Sequence, residues 1–379
     1  MSDSHREVAQ ALRRGADRLA RTHIVAGFDG FVDEMISVVE QRRGLDDYTS
    51  IPSIARFAEL IAQAAGRSSL REIVITGTHA GGCALNLGDG LAALGLKLDY
   101  FGTLGNPRWA VFEDFASRCH GCTSWGHEPG RTLALEFQDG KYMLSAVAQL
   151  AEFDPDLLER ELADGAYLAA CRRAPLIALT NWTLYPHMTA CWKKLMSDVY
   201  SQLTHRPIFY FDLVDPRGRD RADIAAMLQT LTRFQDHGQA VLGVNLNEAN
   251  AVADALGIDP VEHEEDEAVA ILTEAIRSRL GIHQVVTHCL KLAAMADSRS
   301  GRVAQGPYCP SPIRSTGAGD RFNAGYCAGM LLDLPPQQCL ILGKAASGHF
   351  VRHARSATPH ELADFLEHWA AGTLDAAGG

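Results

Sequence analysis

Short apolar runs alternate with longer amphipathic stretches along most of the chain, a pattern that predicts a sheet covered by helices on both faces. Residues 23–28, 73–77, 98–103, 176–180, 208–212 and 240–244 read as buried strands, and 283–289 and 292–297 as late strands joined through a turn that includes Lys291. In the first 22 residues Val8, Leu12 and Leu19 make one helix face, and Ile51 to Arg71 carries a second helical pattern starting near Pro52. The interval 104–150 differs. There Thr132–Phe137 and Tyr142–Val147 flank Asp139-Gly140, a hairpin signal that predicts a small β-rich lid projecting from the main sheet. The expected organisation is a helical extension at 1–22, an α/β domain at 23–360 with a lid contributed mainly by 104–150, and a C-terminal helix and tail at 361–379.

Charge and composition narrow the function classes. The 379 residues carry 46 acidic against 35 basic side chains, a formal charge of −11, which argues against a nucleic-acid partner with a broad interface. No apolar run reaches the length of about 18 residues that spans a bilayer, and the arginine-rich start lacks a secretory apolar core, so no membrane partner and a cytoplasmic location are expected. Nine cysteines are scattered, with Cys119-His120-Gly121-Cys122 the one tight pair. It reads as reduced structural thiols, with an incomplete redox or metal pair as the alternative. The Glu262–Glu267 run reads as a solvated first helical turn, and His349 and His353 as a pair on one helix face, each with metal binding as the alternative.

The most informative stretch is Ser315-Thr316-Gly317-Ala318-Gly319-Asp320, followed by Arg321-Phe322-Asn323-Ala324-Gly325. A glycine-rich turn at a helix start lets successive N–H groups converge on a phosphate, and Asp320 at its edge can orient or deprotonate an attacking hydroxyl. The GxxxxGK[ST] sequence of a P-loop is absent. Earlier, Gly27-Phe28-Asp29-Gly30-Phe31-Val32-Asp33 sets two carboxylates at a strand's C-terminal edge, where Asp29 or Asp33 can accept bonds from substrate hydroxyls or merely stabilise a turn. Gly81-Gly82-Cys83-Ala84-Leu85-Asn86 permits close backbone approach to a polyol, with Asn86 as donor and acceptor; a tight strand-to-helix connection is the alternative. Asn245-Leu246-Asn247-Glu248 follows a strand, where Glu248 can organise hydrated magnesium or cap a helix.

In order and in residue type, the STGAGD, FNAG, GGCALN and NLNE segments resemble the ribokinase-like, or PfkB, family of carbohydrate kinases over residues 23–355. The resemblance implies a three-layer α/β/α sandwich with a predominantly parallel central sheet and a small β-lid over the sugar site. It implies Asp33, Gly82 and Asn86 as substrate contacts, with Asp29 and Gly81 from the same segments. Asn245 and Glu248 become organisers of Mg2+ and ATP, with Glu248 reaching the metal through water and Thr287 and Thr316 on the nucleotide side. Gly317, Ala318 and Gly319 become the anion hole and Asp320 the base, while Asp215 and Arg217 are possible phosphate or crevice contacts or a closed loop salt bridge.

The implied reaction is transfer of the γ-phosphoryl group of ATP to a carbohydrate hydroxyl. The alternatives are a nucleoside or other small-molecule kinase of the same fold and a noncatalytic ligand-binding regulator. A lid edge able to pair across a two-fold axis makes a homodimer through the lid a possible partner state. Four departures stand out: Arg314 where many relatives begin the late motif with an acid, no glycines in Thr287–Leu292, an insertion at 44–71, and no acidic pair around Asn106-Pro107-Arg108.

Overall fold

The computed structural model describes residues 2–374, so the end of the expected C-terminal tail, 375–379, lies outside the described residues. In chain order the strands are β1 (His23–Gly27), β2 (Phe31–Arg42), β3 (Tyr48–Ser50), β4 (Ile73–Gly81), β5 (Lys97–Gly102), β6 (Gly121–Ser124), β7 (Gly130–Phe137), β8 (Gly140–Ala146), β9 (Leu176–Thr180), β10 (Ile208–Asp212), β11 (Gln239–Asn245), β12 (Gln284–His288), β13 (Leu292–Asp297) and β14 (Gly301–Gln305). Nine of them form one sheet in the order β14-β13-β12-β11-β10-β9-β1-β5-β6. Pairing is parallel from β6 through to β12, and antiparallel at β12–β13 and β13–β14.

Strands such as β9, buried at every position, need cover on both faces, and two apolar cores supply it. One is built with the helices Cys83–Ala93, Ala318–Leu331 and Pro336–His353, through residues such as Leu91, Tyr326 and Leu340. The other is built with Met188–Asp198, Arg221–Thr232 and Asp266–Leu280, through Trp192, Met227 and Ile276. Each such large side chain contributes about 1.5–3 kcal/mol on burial. This is the α/β/α sandwich that the sequence pattern implied. The helix Ser2–Leu19 buries Val8, Leu12 and Leu19 and docks on Pro359–Ala371, where Arg13 pairs with Asp364 at 2.6 Å and with Glu367.

The small second sheet runs β3-β2-β7-β8, with β4 also on β2. It differs from the sequence expectation in two respects. Its strands come from 31–50, 73–81 and 130–146, whereas 104–124 stays with the main body and supplies β6 to the large sheet. And the 73–77 run is no buried core strand: β4 lies antiparallel on β2 with Ile73 and Ile75 46% and 52% exposed. The long-range pairing of β2 with β7, Phe31 opposite Gly130, is what assembles this sheet, and nothing in the local periodicity encodes it.

The 44–71 insertion buttresses the lid. Its helix Ile54–Gln63 is capped by Ser53 and by Asp139 of the β7–β8 turn, which accepts from the Ile54 N–H at 2.9 Å. Phe57 lies against Phe137 with ring centroids 5.5 Å apart, beside a cluster of Ile36, Val38, Ile51, Leu60 and Leu135.

Candidate active site

The helix Ala318–Leu331 starts at the C-terminal edge of the large sheet, with Gly317 as its N-cap at φ 88°, a conformation that favours glycine. A Cβ there would also lie 2.8 Å from Arg321 Nη1. Ala318 donates its N–H to Ser315 O at 3.0 Å, so this member of the expected anion hole is already engaged. The N–H groups of Gly319 and Asp320 have no protein partner among the described residues and remain for an anion. Gly319 is held tightly: a Cβ on it would come within 2.8 Å of His288 Cε1.

Asp320, 7% exposed, occupies the third helical position. Burial, and then the negative charge of Asp212, push its carboxyl up to about 8, against the pull of Arg321 and a hydrogen bond from Asn86. In the sequence Asp212 stands out only as the last residue of the 208–212 strand run. It ends β10, accepts from Val214 N at 3.1 Å and Asn323 Nδ2 at 2.7 Å, and is pushed up to about 6 by burial. A carboxylate closing the apolar run Ile208–Asp212 was the signal that could have found it.

Asn245 and Glu248 form a reciprocal cap on the helix Leu246–Leu256: Asn245 Oδ1 accepts from Glu248 N at 3.0 Å, and Glu248 Oε2 from Asn245 N at 2.9 Å. Glu248 is 5% exposed, and burial followed by repulsion from Asp212 pushes its carboxyl well up. Asp212, Glu248 and Asp320 therefore converge on one region with little compensating positive charge, a set that suits a hydrated Mg2+ better than a bare one. No tight carboxylate cage occurs there, since the single compact His/Cys/Asp/Glu group among the described residues is His23, Asp99 and His120. That group lies at the N-terminal ends of β1, β5 and β6, the opposite edge of the sheet, and Arg173 already neutralises Asp99 at 3.1 Å.

Two cavities meet the start of the Ala318–Leu331 helix. One of 350 Å³ is lined by Asn245, His288, Ser315, Gly319 and Lys344. Burial lowers Lys344 to about 8, and its Nζ donates to the carbonyls of Cys289 and Leu290, at 2.8 and 3.1 Å. Neither Lys344 nor His288 was singled out in the sequence. The second cavity, of 330 Å³, lies under the lid and is lined by Asp33, His79, Glu136, Lys141, Arg314 and Thr316. Asp33, raised by burial and countered by Thr132, Arg314 and His79, thus faces this cavity together with Thr316 rather than the first one.

The other expected contacts are distributed less favourably. Asp29 is fully buried and accepts from Cys83 N (2.8 Å), Ala84 N (2.9 Å) and Asn181 Nδ2 (2.7 Å), so it caps the helix Cys83–Ala93 instead of meeting a ligand. Gly81 and Gly82 make room for these carboxylates: added Cβ atoms would lie 2.1 Å from Asp33 Oδ2 and 2.5 Å from Asp29 Oδ1. Asn86 is buried beside Gly317 and braces Asp320. Thr287 is fully buried, with its hydroxyl bonded to Thr273 at 2.8 Å, and faces the core instead of the nucleotide side. Asp215 and Arg217 close an exposed local pair, Nε to Oδ1 at 2.8 Å, that caps the short turn Pro216–Gly218. Arg108 is likewise engaged by Glu113, at 3.0 and 2.8 Å.

Comparison with known proteins places this geometry in a wider group. The sequence model of the prokaryotic ketohexokinase family matches residues 2–369. A ketohexokinase of Haloferax volcanii is 27% identical over 369 residues, 95% of this chain and 93% of its own. Among solved structures, the ribokinase of Cryptococcus neoformans in complex with ADP superposes with a TM-score of 0.64 at 16% identity, covering 90% of this chain and 98% of its own. The Arabidopsis thaliana ribokinase complexed with ribose and ATP gives a TM-score of 0.60 at 16% identity, over 91% and 97%.

Proposed function

This chain belongs to the prokaryotic ketohexokinase family of ribokinase-like carbohydrate kinases, and on that premise we propose that it transfers the γ-phosphoryl group of ATP to a hydroxyl of a ketohexose. The observation that carries the reading is the buried Asp320 beside two unpartnered N–H groups, in a turn whose Ser315 and Gly319 line one cavity and whose Thr316 lines the other. The acceptor would occupy the cavity under the lid, with Asp33 receiving hydroxyl hydrogen bonds, and the nucleotide would occupy the cavity lined by Asn245, Ser315 and Lys344. As the acceptor oxygen bonds to the γ-phosphorus and the bond to the ADP oxygen breaks, Asp320 takes the hydroxyl proton. The N–H groups of Gly319 and Asp320 then hold the developing phosphoryl charge.

Mg2+ bound to ATP supplies charge neutralisation at the phosphate oxygens, and Glu248 and Asp212 are the residues that would hold its water shell. Changing Glu248 to Gln is expected to raise the Mg2+ concentration needed for half-maximal rate several-fold while retaining the helix cap. An unchanged magnesium titration removes Glu248 from that role.

The lining of the acceptor cavity favours a sugar over a nucleoside, because no Phe, Tyr or Trp ring is among the described residues that line it. Phe28 stacks on Trp125 in the core, and Phe31 is buried. ADP release with Mg2+ and ATP, measured across ketohexoses, aldohexoses, sugar phosphates and nucleosides, tests the assignment. A ketohexose-dependent signal supports it. A nucleoside-dependent signal, or ligand-induced stabilisation without any ADP, overturns it.

Pairing of two copies through the lid accords with the apolar residues on its outermost strands, Ile73 and Ile75 on β4 and Tyr142 and Leu144 on β8, each 46–52% exposed. Sedimentation velocity is expected to show a dimer that Ile75→Asp converts to a monomer; a wild-type monomer at high concentration rejects the pairing.

A further inference from the structure

Behind Asn86 lies a third cavity, of 450 Å³, that shares His79, Arg314 and Ala354 with the cavity under the lid. Four arginines line it, Arg118, Arg314, Arg321 and Arg355, against two aspartates, Asp89 and Asp114, in a chain whose overall charge is −11. Two of the arginines are fully engaged. Arg118 is held by Asp89 and Asp114, and Arg355 by Glu361.

The other two are not. Arg321 is 6% exposed; its Nη2 donates to Asp89 at 2.8 Å and its Nε to Ser356 at 3.1 Å, but its Nη1 has no partner among the described residues. That Nη1 lies against Gly317, at the wall between this cavity and the anion hole. Arg314 pairs with no carboxylate among the described residues. Its guanidinium stands 5.7 Å from the ring of Phe350, and that of Arg321 stands 4.5 Å from the same ring. Two like-charged guanidinium groups gathered around one ring, one of them buried with unsatisfied N–H donors, repel each other, and an anion between them would relieve both costs.

We propose that this cavity is a second anion site, which binds the phosphate group of a small phosphorylated molecule between Arg314 and Arg321. A phosphate dianion suits it because its oxygens can accept from both planar forks at once: Asp89 pairs with Arg321 through Nη2 alone, so Nη1 and the Arg314 guanidinium still offer donors. The site is distinct from the start of the Ala318–Leu331 helix, since Ala318 and Gly319 line the first cavity and neither lines this one.

The test uses the whole chain without nucleotide. Tungstate, a heavy phosphate mimic, is soaked into crystals and located by its anomalous signal, and inorganic phosphate is titrated calorimetrically. The expected result is density between Arg314 and Arg321 and a phosphate Kd at least tenfold weaker in Arg314→Ala. Arg321→Lys, which keeps the charge but loses the planar fork, serves as a second variant, and Arg314→Ala decides alone if that one does not fold. Density confined to the start of the Ala318–Leu331 helix, or a Kd unmoved by Arg314→Ala, overturns the proposal.

The source of the phosphate is read separately, and only this step rests on the kinase reading. Inorganic phosphate that raises the acceptor KM alone marks the site as the far end of the acceptor pocket. Phosphate that changes kcat marks a separate phosphorylated effector. Absence of kinase activity leaves the binding result intact.

Discussion

Replacing Asp320 by Asn is expected to lower kcat by about 10²- to 10⁴-fold, the range in which a positioned general base contributes, while acceptor and nucleotide binding change little. The substitution keeps the side chain's shape and its contact with Asn86 but removes the proton acceptor. Wild-type turnover on the ketohexose would reject Asp320 as the base. The pH dependence follows from the same burial. Since the carboxyl is pushed up to about 8 and only its ionised form can accept a proton, log(kcat/KM) should rise with pH and level off near that value. Asp212→Asn removes a negative neighbour, so the rise should move to lower pH.

Stability should move in the opposite sense. A carboxyl raised from 3.8 to about 8 on folding makes the folded state bind the extra proton. Its contribution is therefore fully present below about pH 4 and is lost as pH rises toward 8. Asn does not titrate. The Tm of Asp320→Asn should thus exceed that of the wild type by a margin that widens from pH 5 to 8 and stays constant above. A constant margin across that range would place the pKa elsewhere.

How much of this was legible follows from the range over which each signal acts. The runs that became β1, β9, β10 and β11 are buried on both faces, so composition alone marks them. The glycine turn and Asp320 are contiguous in sequence, and the structure brings them together at one helix start. Thr287 and His288 illustrate the opposite case. Successive strand residues point to opposite faces, so a shift of one position moves a side chain from cavity to core, and it is His288 that lines the cavity.

Asp29 and Asp33 were equally eligible as ligand carboxylates because what separates them is remote in sequence. Asp29 is claimed by N–H groups more than fifty residues away, at Cys83 and Ala84, and by Asn181, whereas Asp33, under the lid, still faces the cavity. The lid's composition was obscured in the same way. A hairpin signal reveals β7 and β8, but their long-range partner β2 and its neighbour β4 become lid strands only through tertiary pairing.

Gly319→Ala should reduce kcat by about 10²- to 10³-fold, as expected for loss of one preorganised donor to developing charge, with a much smaller effect on the acceptor KM. The cause is steric and specific. Gly319 is not among the glycines held at positive φ, so alanine is not excluded by backbone conformation. Instead its Cβ would stand 2.8 Å from His288 Cε1 and force the helix start and the imidazole apart. His288 is half-buried and is restrained on one side by Phe322, with ring centroids 5.1 Å apart. The separation should therefore fall on the N–H groups of Gly319 and Asp320. Removing the imaginary contact's other half gives the decisive control: His288→Ala alone should cost little, and the Gly319→Ala/His288→Ala pair should recover most of the lost rate, a coupling that a double-mutant cycle measures directly. Additive losses in the pair would mean that Gly319 matters for some reason other than its close approach to His288.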